Sequence, residues 1–101
     1  MADRLYLQTL LEDILGSEEV YFQPPEKQKM TYPAIVFSPA KFENTFADDS
    51  VYKQDVAYEI VVIYDDPDSD IPRRVSLLPL CRHDRHYVAD NLYHDAFTKY
   101  L

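Results

Sequence analysis

Residues Tyr52 to Tyr64 alternate with a period of two. Tyr52, Gln54, Val56, Tyr58, Ile60, Val62 and Tyr64 fall on one side, and Lys53, Asp55, Ala57, Glu59, Val61 and Ile63 on the other. Only a strand sends successive side chains to opposite faces, so this stretch cannot be a helix. Its β-branched and aromatic content predicts the longest and most central strand of a sheet, buried on both faces toward Tyr64. A chain of 101 residues has room for one domain and one modest core. Whatever else folds here must be organised around that strand.

The flanking segments supply the partners. Asp3 is placed to cap a helix whose apolar stripe is Leu7, Leu10, Leu11, Ile14 and Leu15, and Gly16 stands where a left-handed C-terminal cap is wanted. Val20-Tyr21-Phe22 reads as a short strand stopped by Pro24-Pro25, and Ala34 to Phe37 as a buried strand between Pro33 and Pro39. Lys41 to Val51 is polar, with a turn signalled by Asp48-Asp49-Ser50. Asp70 and Pro72 predict a short helix in which Val75, Leu77, Leu78 and Leu80 pack inward until Pro79 ends it. A last hairpin follows, with strands near Arg82–Val88 and Tyr93–Tyr100 and a turn at Ala89-Asp90-Asn91. The expected architecture is a single α+β domain over residues 1–101, of order α-β-β-β-α-β-β. Its sheet is mixed but mostly antiparallel, with the helices on one face.

Composition closes off several functions. The one glycine, Gly16, rules out a glycine-rich phosphate cradle or a dinucleotide fingerprint, whose backbones need several positions without Cβ. A formal charge of −8 without a basic stripe argues against direct nucleic-acid binding. One cysteine, Cys81, excludes an internal disulfide and fits a reducing compartment. No apolar run approaches membrane-spanning length, and no signal pattern opens the chain. A soluble intracellular product is expected, with no membrane partner.

Candidate chemistry concentrates in Cys81 to Leu101, which crowds His83, His86 and His94 beside Asp84 and Asp95. On a regular strand residues 83 and 86 point to opposite faces, so without a bulge they cannot share a metal ion. A cross-strand pairing of His86 or His94 with a carboxylate is the simpler expectation. Asp66-x-Asp68-x-Asp70 begins like a calcium loop, but Ile71 and Leu77 replace the required glycine and glutamate, which leaves a solvated turn before the helix. Ser69, Ser76 and Cys81 lie in no strained elbow, and Cys81 reads as a small core residue. No enzyme activity and no cofactor are expected. Tyr52, Tyr58, Tyr87, Tyr93 and Tyr100 beside Arg82 and Arg85, with Asp48 and Asp49 at the polar turn, are instead candidate interface residues, because Tyr and Arg are enriched at the energetic centres of protein contacts.

Several segments resemble one family. They are Val20 to Pro25 (VYFQPP), Tyr32 to Val36 (YPAIV), Ile63 to Pro72 (IYDDPDSDIP) and Asp84 to Asp95 (DRHYVADNLYHD). Together they are similar to small proteins encoded among the head-to-tail genes of long-tailed bacteriophages, most closely the tail terminator, or tail completion, proteins. That resemblance implies a ring-forming subunit, a hexamer, on the finished tail tube, assembled in the host cytoplasm and retained in the virion at the tail and neck. It implies a tail tube protein and a head-tail connector protein as partners, DNA as passing cargo only, and no catalysis. The polar Lys41 to Val51 segment is expected to act as an arm toward a neighbour or the tube. Competing readings are a head-completion or connector protein of the neck, a small metal-binding or hydrolytic domain using the His/Asp hairpin, and a non-viral adaptor module.

Overall fold

A computed structural model describes the backbone of residues 3–23, 31–47 and 50–100, and the side chains of residues 4–23, 31–40 and 56–100. In chain order the elements are α1 (Asp3–Leu15), β1 (Val20–Phe22), β2 (Ala34–Ala47), β3 (Ser50–Tyr64), α2 (Ile71–Ser76), β4 (Cys81–Ala89) and β5 (Leu92–Tyr100). This is the order expected. The strands form one five-stranded sheet, β1-β2-β3-β5-β4, with β3 at its centre. Only β1 and β2 run parallel, and the other three pairings are antiparallel.

The alternation of β3 decides which face carries the core. Tyr58, Ile60, Val62 and Tyr64 are buried, and their neighbours across the ladder, Ile35 and Phe37 on β2 and Phe97 on β5, are buried with them. Leu7 and Leu11 of α1 and Ile71 and Val75 of α2 belong to the same cluster, so both helices cover that face. Fully burying side chains of this size is worth roughly 1.5–3 kcal/mol each, and this cluster is the main force holding helices to sheet. The opposite side of β3 is less enclosed than expected, since Val61 and Ile63 are half-buried. Gly16 ends α1 as expected: it takes φ +78°, and its N–H donates to the Glu12 carbonyl at 2.8 Å.

Two expectations fail. The Leu77-to-Leu80 segment does not pack inward as a unit. α2 stops at Ser76, Leu78 is half-buried, and Leu77 and Leu80 are 77% and 72% exposed. Once the helix ends, its periodicity no longer fixes which way a side chain points, and Leu80 adopts φ +55°, in the left-handed region.

The strand beginning at Ala34 does not stop at Pro39 either. β2 runs on to Ala47 through a bulge at Ala40, and the polar Lys41–Ala47 stretch is itself strand, paired with β3. β1 ends opposite Phe37, so at Pro39 β2 has β3 as its only neighbour among the described residues. A sheet edge beside a bulge is where proline is tolerated within a strand. Among the described residues pairing with β5 reaches only to Ala57, so Phe42–Ala47 and the facing half of β3 form a two-stranded ribbon beyond the sheet. At about 3.3 Å per residue its six rungs extend roughly 20 Å. The molecule measures 51 × 23 × 22 Å accordingly.

Candidate functional site

The terminal hairpin turns at Asp90-Asn91, whose φ values of 53° and 62° both lie in the left-handed region. That is the type I′ geometry favoured between right-twisted strands. From this turn the register counts back regularly: Ala89 faces Leu92, Val88 Tyr93, Tyr87 His94, His86 Asp95 and Arg85 Ala96. Then Asp84 drops out of the ladder, and His83 faces Phe97. A bulge of one residue restores to one face two side chains that strict alternation would separate. The expectation that His83 and His86 point apart is therefore overturned: both lie on the helix-covered face, beside Asp95.

Asp95 is 5% exposed and is held by three donors. The Tyr64 hydroxyl, from β3, donates to Oδ2 at 2.5 Å. His83 Nε2 and His86 Nδ1 each stand 2.9 Å from Oδ1. An ionised carboxylate only accepts, so each of those ring nitrogens carries the proton. His83 is thus fixed with Nε2–H inward and His86 with Nδ1–H inward. Burial pushes the Asp95 carboxyl up, but the hydrogen bonds from Tyr64, His83 and His86 outweigh it and hold the group below the usual carboxylate range. Burial, and then the bond to Asp95, push the Tyr64 hydroxyl well above its ordinary value. Aromatic contacts lock the set: Tyr93 stacks on Tyr64 at 5.4 Å and on His86 at 5.9 Å, while Phe97 meets the edge of His83 at 5.1 Å.

The cluster ties β3, β5 and β4 together through one buried charge. His86, bound to the carboxylate through Nδ1 with Nε2 turned away, has the orientation of an acid–base dyad. Among the described residues, however, no Ser, Thr or Cys is hydrogen-bonded to either histidine. No group of three or more His, Cys, Asp or Glu among them is arranged to hold a metal ion. Cys81 is half-buried against the core as expected, and burial raises its thiol, which works against nucleophilic use. The Asp66 turn is closed locally, its Oδ1 accepting from the Asp68 N–H at 2.9 Å.

The interface candidates separate into distinct settings. Tyr58 must be withdrawn as a surface residue, since it lies in the core against Phe37. Its place on the same alternating set as Ile60 and Val62 already pointed inward. Tyr93 is half-buried beside the Asp95 cluster. Arg82 and Arg85 are exposed on the face away from the helices, where Arg82 Nε donates to Asp84 at 2.9 Å and Arg85 lies over the Tyr87 ring at 5.1 Å. Tyr87 stacks on His94 at 4.8 Å. Tyr100 is half-buried and pairs with Ala57. Asp48, Asp49 and the side chain of Tyr52 lie outside the described residues.

The composition-based reading missed Tyr64 as the third partner of Asp95. The signal was available in the register, because Tyr64 and Asp95 are close only if β5 lies next to β3. No helix among the described residues is long and apolar enough to cross a membrane. No protein-family model matches the chain, and no curated protein matches it in sequence.

Proposed function

We propose that this chain is a structural subunit of a long-tailed bacteriophage particle. It forms a ring on the end of the tail tube, stops tail growth there, and offers the surface on which the head docks. The resemblance of the four sequence segments to tail completion proteins motivates the reading, and the β2–β3 ribbon is the observation that supports it best. A two-stranded hairpin in water is marginally stable by itself and needs a third strand or a packed face. Among the described residues, no third strand joins the ribbon where it extends beyond the sheet. A neighbouring subunit or the tube is the partner that would complete it. The acidic balance of −8 suits a channel through which DNA slides without adhering.

The test is direct. Purified chain mixed with tail tubes should cap them and arrest elongation in electron micrographs. Deleting Glu43 to Ser50 should leave the five-stranded body folded while capping is lost. Capping that survives the deletion unchanged would reject the arm as the contact.

A further inference from the structure

The two edges of the sheet carry opposite charge. At the β1 edge, the last turn of α1 and the connection into β1 present Glu12, Asp13, Glu18 and Glu19, with no basic residue in that turn. Asp13 and Glu18 are exposed. The carbonyl end of the 13-residue helix adds partial negative charge in the same place. Gln8 Nε2 reaches both the Glu12 carboxylate and the Val20 carbonyl, which fixes this turn against β1. At the far edge stand Arg82 and Arg85 on β4, together with Arg73 and Arg74 of α2, which packs against β4. Asp84 is the one acid on that strand. Counting also the exposed Asp70 at the start of α2 and Asp90 after β4, the edge carries four arginines against three aspartates, a local reversal in a chain of net charge −8.

The same edge is long, and its bulge at Asp84 and exposed arginines restrict which chain can pair with it. β4 has nine residues, contains no proline and, among the described residues, has β5 as its only neighbour in the sheet. Leu77, Leu80 and Val88 are exposed beside it, and Leu5 and Tyr6 are exposed on α1, the helix that packs on β1. A long free edge rimmed by apolar side chains is a template for another chain.

We infer that the basic β4 edge of one copy of this chain docks against the acidic α1–β1 edge of the next. The inference rests on reading the chain as a ring subunit and adds which surfaces meet. The contact joins two different patches, so it is head-to-tail, and it closes into a ring when the rotation per subunit allows. Charge complementarity across it sets partner and register.

Charge reversal tests the pairing. Arg82→Glu with Arg85→Glu gives a chain whose two edges are both acidic. Glu12→Lys with Asp13→Lys and Glu18→Lys gives one whose edges are both basic, three lysines standing against Glu19. Each variant alone should self-associate at least about tenfold more weakly than wild type at low salt, measured by sedimentation, with circular dichroism confirming the fold. An equimolar mixture should assemble again, because every edge then meets one of opposite sign. Variants that associate like wild type, or a folded mixture that stays monomeric, overturn the edge pairing while wild-type rings leave the ring reading standing. A wild-type chain that stays monomeric at every salt and concentration, with tail tubes or without, overturns both.

Discussion

Removing one oxygen atom tests how the terminal hairpin is tied to the rest of the sheet. In Tyr64→Phe the ring keeps its place between the core and Tyr93, so no cavity opens and little apolar contact changes. What disappears is the hydrogen bond to Asp95 Oδ2, while Asp95 stays buried. A buried acceptor deprived of its donor costs about 1–3 kcal/mol, toward the upper end when the acceptor is charged. Against this, the phenylalanine is relieved of burying a hydroxyl, which returns part of the cost. A net loss near 2 kcal/mol is expected, which for a domain of this size lowers Tm by roughly 8–16 °C.

The pH dependence follows from the same bond. Because the Asp95 carboxyl is lowered in the folded chain, its contribution is present above the unfolded value of about 3.9 and is lost as pH falls through the folded value. Tyr64→Phe raises the folded value back toward the ordinary range, so the stability it costs at neutral pH should shrink below pH 4. Urea unfolding at fixed protein concentration across pH 2.5–7 measures both effects. A neutral-pH loss below about 0.5 kcal/mol, smaller than one net hydrogen bond, or a loss that persists unchanged in acid, would refute the account of Asp95 as a charge held by this hydroxyl.

Gly16→Ala should cost about 1–2 kcal/mol, read by thermal melting. The φ of +78° strains any residue with a Cβ there, whereas nothing stands within 4 Å of where that Cβ would go, so sterics add no further penalty. Lys99→Met should be neutral or stabilising by up to about 1 kcal/mol at pH 7, because burial lowers the Lys99 amine and the methionine keeps the packed stem without a charge to desolvate. A loss above about 2 kcal/mol would show instead that the bond from Lys99 Nζ to the Pro79 carbonyl outweighs the burial.

Much of this fold is readable from local pattern. The α1 stripe, the glycine at its end, the alternation of β3 and the hairpin turn each follow from a single period or a single backbone preference, which is why element order and central strand come out as expected. The failures share a cause. Pro39 looked like a stop because local sequence does not say that β1 ends opposite Phe37 and leaves β2 with one neighbour there among the described residues. Leu77 and Leu80 looked buried because apolar composition was counted past the point where α2 ends. Tyr58 looked available because the number of tyrosines, rather than its place among Ile60 and Val62, was taken as the signal. In each case the missing information is a contact between distant segments.

The bulge at Asp84 is the sharpest instance, and it links the two surfaces of β4. By strict alternation His83 and Arg85 would share a face, and Arg82, Asp84 and His86 the other. The extra residue divides the strand instead by chemistry. His83 and His86 oppose Phe97 and Asp95 on the face that carries the helices, themselves still exposed, whereas Arg82 and Arg85 oppose Thr98 and Ala96 on the far face. Asp84 itself turns to that far side, where it accepts from Thr98 Oγ1 at 2.6 Å and from Arg82. Burial alone would raise its carboxyl, but those two bonds leave it lowered. One inserted residue thus gives the buried carboxylate both imidazole donors and sets both arginines on the outer side of an edge strand. Shift the hairpin by one position and Asp95 loses its donors as the arginines are driven toward the core. The interior bonds that fix the register of β4 therefore also fix which charges its edge presents outward.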